Sequence, residues 1–166
     1  IRDRYTEEDN MNTVIKEIID KKEKEQISKE VLYDLPEWFG LPESTENYIK
    51  DSQDKPFLAC YVHNEVAGFI VLNATSKDTA DIFVMGIKKK FHRMGIGTKL
   101  NTEFENMAKN LGYSYSQVKT VKMGHYKEYD ITNEFYIAMG YKELECFPTL
   151  WDEWNPCQIY IKYLGE

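Results

Sequence analysis

Apolar residues recur at helical spacing at Met11, Val14, Ile15, Ile18 and Ile19, which predicts a helix over the first twenty residues. Thr6 suits its N-cap, with Glu7, Glu8 and Asp9 in the first turn where acids favour the helix dipole. Ile1–Tyr5 reads as a short first strand, and the charged run Lys21–Lys29 as a solvated helix end or loop. Two Leu-Pro pairs and a glycine between Val31 and Asp51 predict a loop, then a short helix from about Pro42 or Thr45. Phe57–Val62 and Val66–Asn73 are apolar, β-branched runs around a tight turn at His63-Asn64-Glu65. Ala80–Ile87 is a third, central strand. Ile96, Leu100, Phe104, Met107, Ala108 and Leu111 then mark one face of a helix that Gly112 stops. A strand over Ser116–Lys122, a short helix over Ile131–Met139 ended by Gly140, and strands at Lys142–Cys146 and Gln158–Tyr163 complete the chain. A crossover helix between Ile87 and Ser116 implies an α/β architecture, a mixed sheet flanked by helices.

Composition narrows the class. The 166 residues suit one domain spanning 1–166, and 42% hydrophobic with 30% charged residues is a globular balance. A net charge of −7 argues against general nucleic-acid binding. The longest uncharged apolar run, Phe57–Val62, is too short to span a bilayer, and Ile1–Asn10 is too charged for a secretory signal. Cys60, Cys146 and Cys157 are odd in number and lack metal-ligand spacing, so free thiols in a cytoplasmic protein are expected. His63, His92 and His125 are widely spread, and no metal site is expected.

Against that acidic background, Lys88, Lys89, Lys90, Arg93 and Lys99 gather where the central strand passes into the following helix, around Gly95 and Gly97. The glycines allow positive φ and close approach, and the helix start aims its amides and positive dipole end at an anion. A phosphate group fits; an ordinary solvated turn is the alternative. A dinucleotide fingerprint would need Gly or Ala where Leu100 stands, and no P-loop string occurs. His92-Arg93-Met94-Gly95-Ile96-Gly97 instead resembles the acyl-CoA signature [Q/R]-x-x-G-x-[G/A] of the GNAT superfamily of N-acetyltransferases, with His92 in place of Gln or Arg. Phe135-Tyr136-Ile137-Ala138-Met139-Gly140-Tyr141 resembles that family's F/Y-Y-x-x-x-G-F/Y helix end. The resemblance covers roughly residues 56–164, and the chain looks most like a bacterial subgroup of unassigned substrate.

The resemblance implies a mostly antiparallel sheet of about six or seven strands with a splayed central parallel pair. It implies acetyl-CoA as co-substrate, with the backbone of Met85 and Ile87 pairing with the pantetheine arm and an amide near Met85 facing the thioester oxygen. His92, Arg93, Met94, Gly95, Ile96, Gly97 and Thr98 would form the coenzyme loop, the amides from Arg93 to Thr98 holding the pyrophosphate and the Thr98 hydroxyl adding a bond. Because that loop works through its backbone, His92→Ala is expected to be mild. Tyr136 matches the family's general acid; a tyrosine packed on the core face of its helix is the alternative. Tyr129 stands where relatives often carry Asn. Asp81 occupies the place of a catalytic Glu found in some members; a surface acid at a strand start is equally compatible.

Two aromatic, acidic segments are candidates for binding an acceptor: Leu35–Glu43, with Glu37 and Trp38, and Phe147–Cys157, with Trp151, Asp152 and Trp154. Aromatic faces and carboxylates suit a cationic amine; core or homodimer contacts are the alternative for the tryptophans. The resulting expectation is an N-acetyltransferase acting by direct attack of a primary amine, on a small molecule or a peptide. The alternative is a non-catalytic acyl-CoA-binding sensor or interaction domain.

Overall fold

The structure, a computed structural model, describes residues 5–165. In chain order the elements are α1 (Glu7–Met11), β1 (Thr13–Glu17), α2 (Lys21–Leu32), α3 (Pro42–Ser52), β2 (Phe57–Val62) and β3 (Glu65–Ala74). β4 (Thr79–Ile87), a single 3-10 turn (Lys89–Phe91), α4 (Ile96–Asn110), β5 (Tyr115–Val121), α5 (Lys127–Ala138), β6 (Lys142–Asp152) and β7 (Asn155–Tyr163) follow. The strands form one mixed sheet in the order β1-β2-β3-β4-β5-β7-β6. The β4–β5 pair is parallel, and β1–β2, β2–β3, β5–β7 and β6–β7 are antiparallel. Contacts cluster in two units: the chain up to Asn73 with Phe83–Asn106, and Ala74–Ile82 with the chain from Met107 onward.

The first unit corrects the reading of the N-terminal twenty residues. Thr6 caps α1 as expected, accepting from the Asp9 amide at 3.1 Å while its own N–H reaches the Asp9 carboxylate at 2.9 Å. The helix stops at Met11, however, and Thr13–Glu17 pairs antiparallel with β2 from Thr13↔Val62 to Glu17↔Leu58. Thr13, Val14 and Ile15 are β-branched, which lowers helix propensity and suits a strand. The apolar face inferred from periodicity never forms, for Met11 and Ile19 are exposed. The expected strand over Ile1–Tyr5 lies largely outside the described residues. Lys21–Lys29, expected as a solvated end, is the body of α2, whose Ile27, Val31 and Leu32 are buried.

α2 and α3 cover β2 and β3 around a core of Ile27, Val31, Leu32, Leu35, Ile49, Phe57, Phe69 and Val71. Gly86 of β4 lets α2 come close, since a Cβ there would lie 2.9 Å from Val31 Cγ1 and 3.2 Å from Leu35 Cδ1. The β2–β3 turn falls at His63 and Asn64, with φ of 49° and 66°, the left-handed pair of a tight hairpin.

In the second unit the parallel ladder runs only from Thr79↔Tyr115 to Ile82↔Val118, while β4 continues to Ile87. Phe147–Cys157, expected as irregular, forms the distal part of a hairpin, so β6 and β7 are longer than predicted. Asp152 organises its turn, accepting from the Trp154 and Asn155 amides at 2.8 and 2.9 Å. Among the described residues no helix is long and apolar enough to cross a membrane, and no cluster of metal-ligating side chains occurs.

Candidate active site

β4 delivers the chain into a loop anchored by apolar side chains. Phe91, Met94, Ile96 and Leu100 are buried, and Arg93, Gly95 and Thr98 between them are exposed. Buried anchors and exposed residues thus alternate, which fixes the loop against the core. Arg93 and Gly95 take φ of 63° and 75°. A Cβ at Gly95 would meet nothing within 4 Å, so the dihedral alone calls for glycine there. Gly97 differs from the expectation of a second positive-φ site: it lies in the first turn of α4. The Lys99 N–H donates to the Gly95 carbonyl at 3.1 Å. The amides of Ile96, Gly97 and Thr98 precede that bond, so they have no acceptor within the helix and mark its positive end. Tyr5, Thr6, Glu7, Asn10, Met94, Gly95, Thr98 and Lys99 line an open hollow of about 460 Å³ beside this turn.

The cations expected to crowd the loop are largely engaged within the chain. Lys88 pairs with Glu30 and Glu65, Lys90 with Glu65, and Lys89 Nζ donates to Glu37 Oε2 at 2.6 Å. Lys99 Nζ donates to Asn10 Oδ1 at 3.0 Å. A negative group at the loop would therefore meet the backbone amides, the helix dipole, the exposed Arg93, and Lys99, whose partner Asn10 is uncharged.

The second unit brings Asp81 and Tyr136 into one electrostatic environment. Asp81 is 5% exposed; Gln117 Nε2 donates to its Oδ1 at 3.2 Å and Lys119 Nζ lies 3.7 Å away. Burial raises its carboxyl above the ordinary value of 3.8, and Lys119 and Gln117 partly offset the rise. It is a buried acid, not the surface acid of the alternative reading. Tyr136, also 5% exposed, packs edge-on against Phe135 and Tyr141 at ring-centroid distances of 5.1 and 5.6 Å. Burial pushes its phenol upward, and Tyr141 and the Asp81 charge push the same way.

α5 holds Tyr136 by two devices, the first marked in the sequence by Gly140 and the second not legible in the motif. The Tyr141 N–H bonds the Tyr136 carbonyl at 3.0 Å and the Gly140 N–H bonds Ile137, with Gly140 at φ 95°, a Schellman ending. One turn earlier, the fully buried Asn133 donates to the carbonyls of Val121 and Tyr129 and accepts from the Tyr160 hydroxyl at 2.6 Å. Tyr129, noted as off-pattern, enters this arrangement through its carbonyl. The one signal for Asn133 was a polar residue three positions before Tyr136 on the same helical face.

The acceptor candidates fall in different units. In the first, Glu37 pairs with Lys89, which holds its carboxyl below the usual range, and Trp38 sets its edge against the His92 ring at 5.8 Å. In the second, Trp151 and Trp154 are 44% and 70% exposed on the β6–β7 hairpin, and the Asp152 carboxylate serves the turn.

Known proteins share this fold. The family model described as the Acetyltransferase (GNAT) family matches residues 17–127. A GNAT-family protein from Desulfovibrio desulfuricans superposes with TM-score 0.78 at 13% identity, covering 92% of this chain and 99% of its own. An aminoglycoside 6′-N-acetyltransferase complexed with coenzyme A gives 0.73 at 18% identity, with coverage of 92% and 98%. A GNAT acetyltransferase from Elizabethkingia anophelis with acetyl-CoA bound gives 0.68 at 16%, with coverage of 92% and 98%. No curated protein matches. With a family model spanning well over half its length, the chain belongs to the GNAT family of acetyltransferases.

Proposed function

We propose that this protein transfers an acetyl group from acetyl-CoA to a primary amine, of a small molecule or a peptide, by direct attack. The observation that carries the reading is Tyr136, buried, clamped by a Schellman ending and kept protonated beside the Asp81 charge. The loop fits the donor independently: an open turn at Gly95 followed by helix-start amides is a cradle for a diphosphate. Acetyl-CoA supplies an acetyl group activated as a thioester.

The chain's residues divide the work. The amides from Arg93 to Thr98, with the Thr98 hydroxyl, hold the pyrophosphate. The Lys88 N–H donates to Ala67 of β3 at 2.8 Å, so strand alternation turns the Ile87 N–H and the N–H and C=O of Met85 away from β3, the Ile87 carbonyl being engaged by His92 Nε2. That edge orients the pantetheine arm, and an amide near Met85 stabilises the oxyanion; such a fixed donor is worth about 3 kcal/mol. The Tyr136 hydroxyl retains its proton at neutral pH and offers it to the departing thiolate, a charge-assisted bond that strengthens as charge develops. Asp81, with its proton affinity raised by burial, takes the acceptor's proton through a water. Trp151 and Trp154 offer aromatic faces to a cationic amine, whereas Glu37 and Trp38 are engaged within the first unit.

Isothermal titration with acetyl-CoA, followed by a screen of amines, polyamines and aminoglycosides with thiol detection, tests this. Saturable binding and turnover of an amine are expected. No binding at millimolar acetyl-CoA would end the proposal, and binding without any turnover would identify the chain as an acyl-CoA sensor.

A further inference from the structure

The segment joining β4 to the loop is closed by a side chain. His92 Nε2 lies 2.7 Å from the carbonyl oxygen of Ile87, five residues earlier, across the 3-10 turn Lys89–Phe91. A carbonyl only accepts, so Nε2 carries the hydrogen and donates. The same peptide unit is held from its other side, where the Lys88 N–H donates to the Ala67 carbonyl at 2.8 Å. The last peptide of β4 is thus pinned at both of its polar atoms, one by β3 and one by the imidazole.

The imidazole is itself held. Trp38 meets it edge-to-face, with an interplanar angle of 83°. The connector carrying Trp38 is fastened to the same stretch by Asp34 Oδ2, which accepts from the Lys89 amide at 2.7 Å, and by the Lys89–Glu37 pair. Trp38 and Glu37, which look from sequence like acceptor contacts, here brace the turn that ends in His92. The loop beyond is anchored separately, through buried Met94, Ile96 and Leu100.

We propose that His92 is a positioning residue for the coenzyme, acting through the Ile87 carbonyl to fix the strand edge that receives the pantetheine arm, and not as a ligand of the phosphates. This rests on the acetyl-CoA reading above. Loss of the imidazole would free the Ile87–Lys88 peptide to rotate and leave a half-buried carbonyl without its donor, while the apolar anchors still hold the loop amides.

The test compares two ligands by isothermal titration: coenzyme A, and its nucleotide half, 3′-phosphoadenosine 5′-diphosphate, which lacks the arm. His92→Ala should weaken coenzyme A about tenfold, the usual scale for a lost hydrogen bond that strands its partner. It should leave the nucleotide half within about twofold of the parent. His92→Gln, whose side-chain amide can donate over a similar reach, should recover most of the loss. Thermal melts of both variants check folding, and nitrogen NMR of the imidazole should show the hydrogen on Nε2 in the free protein. Equal weakening of both ligands would place His92 in the phosphate site and overturn the proposal, as would unchanged coenzyme A affinity or no recovery by Gln. If the parent protein bound neither ligand, the acetyl-CoA reading itself would fail, which is a separate result.

Discussion

Gly95 allows a clean separation of backbone strain from ligand access. It sits at φ 75°, and a Cβ there would meet nothing within 4 Å. The intrinsic cost that follows from the backbone is the left-handed dihedral. For an ordinary L-residue that is about 1–2 kcal/mol, and a β-branched residue lies at the upper end or beyond. Asn tolerates this region far better than Val. In a chain of this length each kcal/mol moves the melting temperature by about 2–4 °C. Gly95→Val should therefore melt about 2–8 °C below the parent, and Gly95→Asn within about 2 °C of it. Both add a Cβ on the exposed side where a diphosphate would approach the Gly95 and Ile96 amides. Both should therefore lose coenzyme A binding by about a hundredfold or more, the scale of two or more charge-assisted bonds. Thermal melts and isothermal titration read the two effects independently. Full coenzyme A affinity in Gly95→Asn would refute backbone recognition at this turn, whatever the stability of the valine variant.

Other expectations follow from the second unit. Tyr136→Phe should keep acetyl-CoA affinity and lower kcat and kcat/KM together by about 10²–10⁴-fold, because the ring packing stays and only the hydroxyl goes; an unchanged kcat with a saturating amine would assign Tyr136 to packing. The Asp81 carboxyl is raised in the folded state, so the folded chain binds more protons than the unfolded one just above 3.8, and this group's contribution to stability falls as pH rises through that window. Asp81→Asn should remove that local loss in a pH series of melts while slowing turnover; full activity with a protonated acceptor would exclude Asp81 as the base. Asn133→Ala should cost about 2–4 kcal/mol, since the buried Tyr160 hydroxyl and the Val121 carbonyl lose their partner together, and denaturant unfolding checks it.

Local signals carried most of the fold. Gly112 and Gly140 end their helices at φ 95° where the pattern stops, and the β2–β3 turn uses the His63-Asn64 pair. Pairing partners are not local, which is why the spacing of Thr13–Glu17 matches a helix while β2 supplies a ladder. The Phe147–Cys157 segment looked irregular because Pro148 and Pro156 interrupt it, and its hairpin emerges from the Asp152 turn. At the candidate site, the glycine loop and Tyr136 were legible as motifs, because their spacing is fixed by one turn or one helix. The partners of Lys88, Lys89 and Lys90 were not, since Glu30, Glu37 and Glu65 come from elements distant in sequence. The same holds for the bond from His92 to Ile87, which changes the expected effect of His92→Ala from mild to about tenfold.

The central claim is acetyl transfer to nitrogen, and the most direct measurement is a product balance. The protein is incubated with acetyl-CoA and the amine panel, free coenzyme A thiol is titrated, and the acetylated product is identified by mass spectrometry and NMR. The account predicts equal amounts of thiol and product, with the acetyl group on the amine nitrogen and release strongly reduced in Tyr136→Phe. Thiol release without an acetylated amine, or acetyl found on oxygen alone, would contradict it.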